Sequence, residues 1–185
     1  MSIPPLRTLE TQRVRLRVCQ VEDTDAVFAA EEESLAELQS WFWWMHPEHN
    51  RKRCAAWAES RVASWLKGEE FSFLIIDKGF NKIVGCTWLN SLDTISLRAS
   101  LGYWVRSGSA GRGFASEAAR EITRWAFEEL DLQRIEIVLG TQNEKSRRLA
   151  ERIGAQFEGI ARKRLRINQL NLDACVYSLL PGELK

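Results

Sequence analysis

The chain has 185 residues, 45% of them hydrophobic and 28% charged, which is the balance of an ordinary globular protein with room for one domain and a substantial core. Its 26 Lys and Arg nearly cancel 25 Asp and Glu, leaving a formal net charge of +1, so nothing in the bulk charge argues for a general binder of nucleic acid or of membrane surfaces. No stretch approaches the roughly 20 apolar residues that cross a bilayer, and MSIPPLRTLETQR lacks the apolar run of a secretory signal, so a cytoplasmic protein is expected.

In chain order, RVRLRV (13–18) alternates charged and apolar residues and reads as a half-buried strand. VEDTDAVFAAEEES carries acidic residues in its first turn and reads as a helix. SLAELQSWFWWM is apolar at mixed spacing, a short second helix or a loop. His46 and His49 stand in HPEH, which is not the HExxH arrangement and has no cysteine nearby, so a surface loop without metal is expected. RKRCAAWAESRVASWLKG sets Cys54, Trp57, Val62 and Trp65 at helical intervals, closed by Gly68.

The period then changes. EFSFLIID and KIVGCTWLN, separated by KGFN, predict a hairpin, and SLRASLGYWVR a further strand. A glycine-bearing loop follows in SAGRGFASEAAREI, and the helix behind it carries an apolar stripe of Ala115, Ala118, Ala119, Ile122, Ala126 and Leu130. RIEIVLG is a strand. Asn143 is placed to cap EKSRRLAERI, which Gly154 ends. AQFEGI, RKRLRIN and ACVYSLL close the chain as strands, the last two joined through NQLNLD. Cys19, Cys54, Cys86 and Cys175 are scattered without a CxxC pair and read as buried thiols. With no repeat, low-complexity linker or break, residues 1–185 form one domain of order β-α-α-β-β-β-α-β-α-β-β, an α/β domain with a mixed sheet.

The glycine loop decides the chemistry. A phosphate-binding Walker loop needs a Gly-Lys-Ser/Thr ending, which GRGFAS lacks. A dinucleotide fingerprint needs a third glycine where Ser116 stands, early in the chain, with an acidic residue closing the next strand; Glu136 lies inside RIEIV instead. The stretch from Trp104 to Phe157, with Gly111-Arg112-Gly113, the SEAAR helix, RIEI, Asn143, Ser146 and ERIGA, resembles the core of the GCN5-related N-acetyltransferases. More narrowly, it resembles the branch of ribosomal-protein N-terminal acetyltransferases and their small-molecule-acting relatives. The dense part covers roughly a third of the chain, and ETQRVRLR and GCTWLN agree in the flanks.

That resemblance implies a central mixed sheet flanked by helices, with strands splayed at the cofactor site, and acetyl-CoA as co-substrate without a metal. The loop from Arg106 through Ser109, Ala110, Gly111, Arg112, Gly113 and Phe114 to Ala115 becomes the diphosphate cradle, where converging N–H groups and a helix N-terminus suit the anion. A backbone N–H near Trp104 or Val105 would polarise the thioester carbonyl. Many relatives place a tyrosine acid at the position of Ala150; here Ser146 is the substitute, and Asn143 adds a hydrogen bond to the pantetheine arm. Glu69 and Glu70 are the candidate bases. Trp43, Trp44 and Asn90 are expected to line the acceptor cleft.

A protein α-amine, titrating at about 7.7–8.0 against about 10.4 for lysine, needs only a modest base. The expected activity is therefore acetyl transfer to a protein N-terminus, with a homodimer expected by likeness and no nucleic acid or membrane partner. A small amine such as a polyamine or antibiotic is the alternative acceptor, and a non-catalytic coenzyme-A-binding or protein-interaction module the alternative class. Arg162, Arg164 and Arg166 alternate in RKRLR and would suit an acidic partner or guard an edge strand.

Overall fold

The computed structural model describes residues 3–45 and 49–185, so the part of HPEH at 46–48 lies outside the described residues. Thirteen principal elements follow one another in these residues. Short β1 (Thr8–Glu10) and β2 (Val14–Arg17) lead through a single 3₁₀ turn to α1 (Thr24–Glu33), α2 (Leu35–Gln39) and α3 (Arg51–Leu66). β3 (Phe71–Asp77), β4 (Lys82–Asp93) and β5 (Arg98–Val105) form a meander, and α4 (Phe114–Glu129) crosses to β6 (Arg134–Gly140). α5 (Glu144–Ile153), β7 (Gln156–Ile167) and β8 (Leu170–Leu179) complete the order.

The strands form one eight-stranded sheet in the order β1-β2-β3-β4-β5-β6-β8-β7. Every neighbouring pair is antiparallel except β5 with β6, which run parallel and are paired only from Arg98 opposite Arg134 to Ser100 opposite Glu136. Beyond Ser100 the two strands part, and the sheet opens at its middle.

Packing follows from the patterns in the chain. α4 buries Ala118, Ala119, Ile122, Trp125, Ala126 and Leu130 against one face of the sheet, with Phe71, Phe73, Ile135 and Ile137 beneath it. Trp125 and Trp65 share an aromatic cluster with Phe71 and Phe73, all centroids within 5.5 Å. The other face takes α1 and α3 through Val27, Cys54, Ala58, Leu74 and Ile76. The four cysteines are buried free thiols.

Three local expectations change. β1 is a separate edge strand, pairing Thr8 with Arg17. AQFEGI and RKRLRIN are one strand rather than two, with extra residues accommodated between Ala161 and Leu165, where Lys163 has φ +54°. That bulge breaks the alternation, so Arg162, Arg164 and Arg166 do not share one uninterrupted strand face. His49 is not a surface residue: its ring packs 5.4 Å from Phe28 and its Nε2 lies 3.2 Å from Glu31 Oε2.

Candidate active site

The opening between β5 and β6 is the site's frame. Arg106 N–H donates to Val84 O across the β4–β5 edge at 2.8 Å. Alternation along an antiparallel ladder then turns the amides of Trp104 and Gly102 towards β4 as well, and those of Tyr103 and Val105 the other way. Because β6 has already diverged, the Tyr103 and Val105 amides face open space. Of the two residues named for the thioester, Val105 presents its N–H to the splay; the Trp104 amide belongs to the ladder, and its indole is buried with Ala30, Leu38, Met45 and Cys86.

The glycine loop divides into two halves. The first is bound to the protein itself. Arg106 is buried and its guanidinium joins Glu33 and the carbonyl of Ile83. Ser107 N–H donates to Ser34 Oγ, and Gly108 N–H to Glu33 Oε1 at 2.8 Å. A Cβ on Gly108 would stand 2.7 Å from that carboxylate oxygen, so a larger residue here would push the Glu33 side chain aside. The Arg106 guanidinium, then the Gly108 N–H, holds the Glu33 carboxyl down to about 2. Ser109 N–H and Ala110 N–H turn back onto Arg106 and Ser107.

The second half is open. Gly111 and Gly113 have φ of +76° and +85°, the left-handed conformation glycine adopts without penalty. Gly113 caps α4 without any side-chain bond, and the first helical bond runs from Glu117 N–H to Gly113 O. Among the described residues, no partner accepts from the N–H groups at 111–116. A hypothetical Cβ on Gly111 meets nothing within 4 Å. Such a run of free donors at an uncapped helix start fits a diphosphate. Phe114 is buried, with the guanidinium of Arg112 4.7 Å and that of Arg13 5.5 Å from its ring centroid. Arg112 also reaches Asp77 at 3.6 Å.

A cavity of about 1090 Å³ runs through the splay. On the loop side it is lined by Val105, Ala110, Ala115, Asn143 and Ser146. Asn143 caps α5, its Oδ1 accepting from Ser146 N–H at 3.0 Å. Ser146 Oγ lies 2.8 Å from Tyr103 Oη. Ala150 is fully buried on the inner face of α5 and is not part of the lining.

The opposite side is aromatic. Trp41, Phe42, Trp43, Trp44 and Trp88 line it together with Asn90. Phe42, Trp44 and Trp88 pack on one another at 4.4–5.9 Å, and the Trp88 indole lies against the Gly102 backbone. Trp43 is 64% exposed. Arg164, Arg166 and Lys145 stand at the rim. Among the described residues Glu37 is the only carboxylate in the lining; Lys145 pairs with it and Ser107 donates to it, holding its pKa below the ordinary value.

Glu69 and Glu70 are not brought to this cavity. Glu69 is exposed near Lys67, and Glu70 pairs with Arg61 at 2.5 Å and accepts from Ser72. Both precede the first residue of β3, in the turn that follows α3, and neither is part of the lining. Glu136 is held by Arg134 and Arg98. Sequence reasoning missed Tyr103, Trp88, Trp41, Glu37 and Lys145. The signal for Tyr103 was available in GYWV, because alternation puts it on the face opposite Trp104, towards α5.

Comparison with known proteins agrees with this geometry. The profile of the acetyltransferase (GNAT) domain family matches residues 13–156. The Bacillus subtilis (strain 168) protein named "Putative ribosomal N-acetyltransferase YdaF" is 34% identical over 146 residues, 76% of this chain and 78% of that protein. A solved structure described as a putative ribosomal-protein-serine acetyltransferase from Vibrio cholerae superposes with a TM-score of 0.82 at 26% identity, covering 95% of this chain and 98% of that one. RimL, a ribosomal L7/L12 alpha-N-protein acetyltransferase solved with coenzyme A, shares the fold with a TM-score of 0.87 at 19% identity, over 94% and 98% of the two chains. The splayed strands, the open donor run and these matches together place the chain in the GCN5-related N-acetyltransferase (GNAT) family, as an acetyl-CoA-dependent N-acetyltransferase.

Proposed function

We propose that the acceptor is the α-amine of a polypeptide N-terminus, with acidic residues following it. The observation that carries this is the charge of the acceptor side. Among the described residues its one carboxylate, Glu37, is neutralised by Lys145, while Arg164 and Arg166 stand at the rim. A polycation such as a polyamine or aminoglycoside needs carboxylates to hold it, and this wall offers aromatic faces and guanidinium groups instead. The names of the relatives YdaF and of the Vibrio cholerae structure point the same way.

Acetyl-CoA supplies the activated acyl group and leaves as the free thiol. The chain's part is to bind, orient and exchange protons. The N–H groups at 111–116 hold the diphosphate. Asn143 orients the pantetheine arm, and the Val105 N–H polarises the carbonyl. Ser146 donates the proton that the sulfur takes up as its bond to carbon breaks. The amine gives up its proton to water near Asn90, since among the described residues no free carboxylate lines the cavity. Ser146→Ala is expected to lower kcat by about 10²-fold with little change in KM.

The test is acetyl transfer from acetyl-CoA to a panel of acidic and basic N-terminal peptides, spermidine and an aminoglycoside, followed by thiol release and product mass. Higher kcat/KM for acidic peptides, acetylated at the α-amine, is the expected result. A preference for either polycation overturns the proposal.

A further inference from the structure

Ser146 stands in the first turn of α5, three residues after the cap Asn143. Its hydroxyl has a partner outside the helix, the Tyr103 phenol at 2.8 Å. Tyr103 comes from β5, and among the described residues its hydroxyl, besides contacting Ser146 Oγ, donates only to the Ser146 carbonyl oxygen, at 3.3 Å. Both residues line the cavity where the strands part.

We propose that Tyr103 is a positioning residue for Ser146: its phenol donates to Ser146 Oγ and thereby leaves the serine proton free to point at the departing sulfur.

Either hydroxyl could donate at 2.8 Å; we assign the phenol as donor because it is the more acidic of the two and its proton already points at Ser146, donating to the carbonyl, which can only accept. Burial pushes the Tyr103 pKa above its ordinary value, so the phenol stays neutral and able to donate throughout the working pH range. Two further bonds fix the geometry. Asn143 Oδ1 accepts from Ser146 N–H and sets the first turn of α5. On the other side, the β4–β5 ladder fixes Tyr103 opposite Thr87. The serine thus accepts one hydrogen bond from behind and directs its own proton forward, as a preorganised donor must.

The inference rests on the proton-donor role of Ser146 given above, and the experiment separates the two. Wild type, Tyr103→Phe, Ser146→Ala and the double variant are compared in two ways. Steady-state kinetics are expected to show kcat for Tyr103→Phe about tenfold lower with KM for acetyl-CoA nearly unchanged, the size of one hydrogen bond to a developing charge. The double variant is expected to be no slower than Ser146→Ala, because both changes act through one proton. Calorimetry then measures affinity for CoA relative to dethio-CoA, the analogue lacking sulfur, at a pH above the thiol pKa. This ratio needs no acceptor and no turnover. It is expected to fall severalfold in both single variants while their thermal unfolding stays like that of the wild type. A ratio unchanged in Tyr103→Phe but lowered in Ser146→Ala overturns the role of Tyr103 alone. A ratio unchanged in both overturns the role of Ser146 and the inference with it.

Discussion

Gly102 shows how little room the acceptor floor leaves. A methyl group there would fall inside the Trp88 indole, which in turn supports Phe42 and Trp44. Gly102→Ala therefore displaces the aromatic wall rather than the cofactor loop. Its expected signature is a rise of about tenfold in KM for the amine, with KM for acetyl-CoA within twofold, read by varying each substrate separately. Residue-level reading of the sequence found Asn143 as the cap of α5, Ser146 in the cavity, and the paired glycines. It failed where a residue's role depends on partners distant in the chain. Arg106 belongs to Glu33, 73 residues away, and Tyr103 meets Ser146 at a separation of 43. Glu70 looked available because a strand end gives no hint of the arginine that lies beside it.

Among the elements, α1 matters beyond its own packing, because its last turn holds the bound half of the glycine loop. Glu33 gathers Arg106 and Gly108, and Ser34 takes Ser107. Replacing Glu33 with Gln removes the charged partner of a buried guanidinium and loosens the loop from behind. KM for acetyl-CoA is expected to rise about threefold to tenfold while the amine's KM holds, checked by initial-rate kinetics. α4 is secured at its centre by Trp125, which meets Trp65, Phe71 and Phe73. Trp125→Ala is expected to cost about 3–5 kcal/mol in a denaturant titration. The helical stripes and the alternating strands were legible because each buries one face. The single long β7 was not, since its bulge and the left-handed Lys163 interrupt the period on which such a reading depends.

Across the whole molecule, stability should depend on pH through a buried group far from the cavity. Burial pushes the Glu31 carboxyl from 4.5 up to about 7, and pushes the neighbouring His49 down, so both favour their neutral forms. For Glu31 a raised pKa means stabilisation that is complete below pH 4.5 and fades as pH climbs through about 7. Glu31→Gln carries no such charge, so its melting temperature should gain on the wild type steadily between pH 5 and pH 8, by an amount equivalent to roughly 3 kcal/mol at most. A constant difference across that range would refute this account. The family fold was readable from the order of motifs, but the shape of the acceptor wall was not, because five aromatic side chains from two distant segments meet only in three dimensions. The parting of β5 from β6 has one more consequence. A strand at the centre of the sheet carries, at Tyr103 and Val105, amides with no neighbour to shield them. Their hydrogens should trade with deuterated water as fast as those of a sheet's outermost strand, slowing when acetyl-CoA enters, so that isotope uptake at two interior positions would report cofactor occupancy.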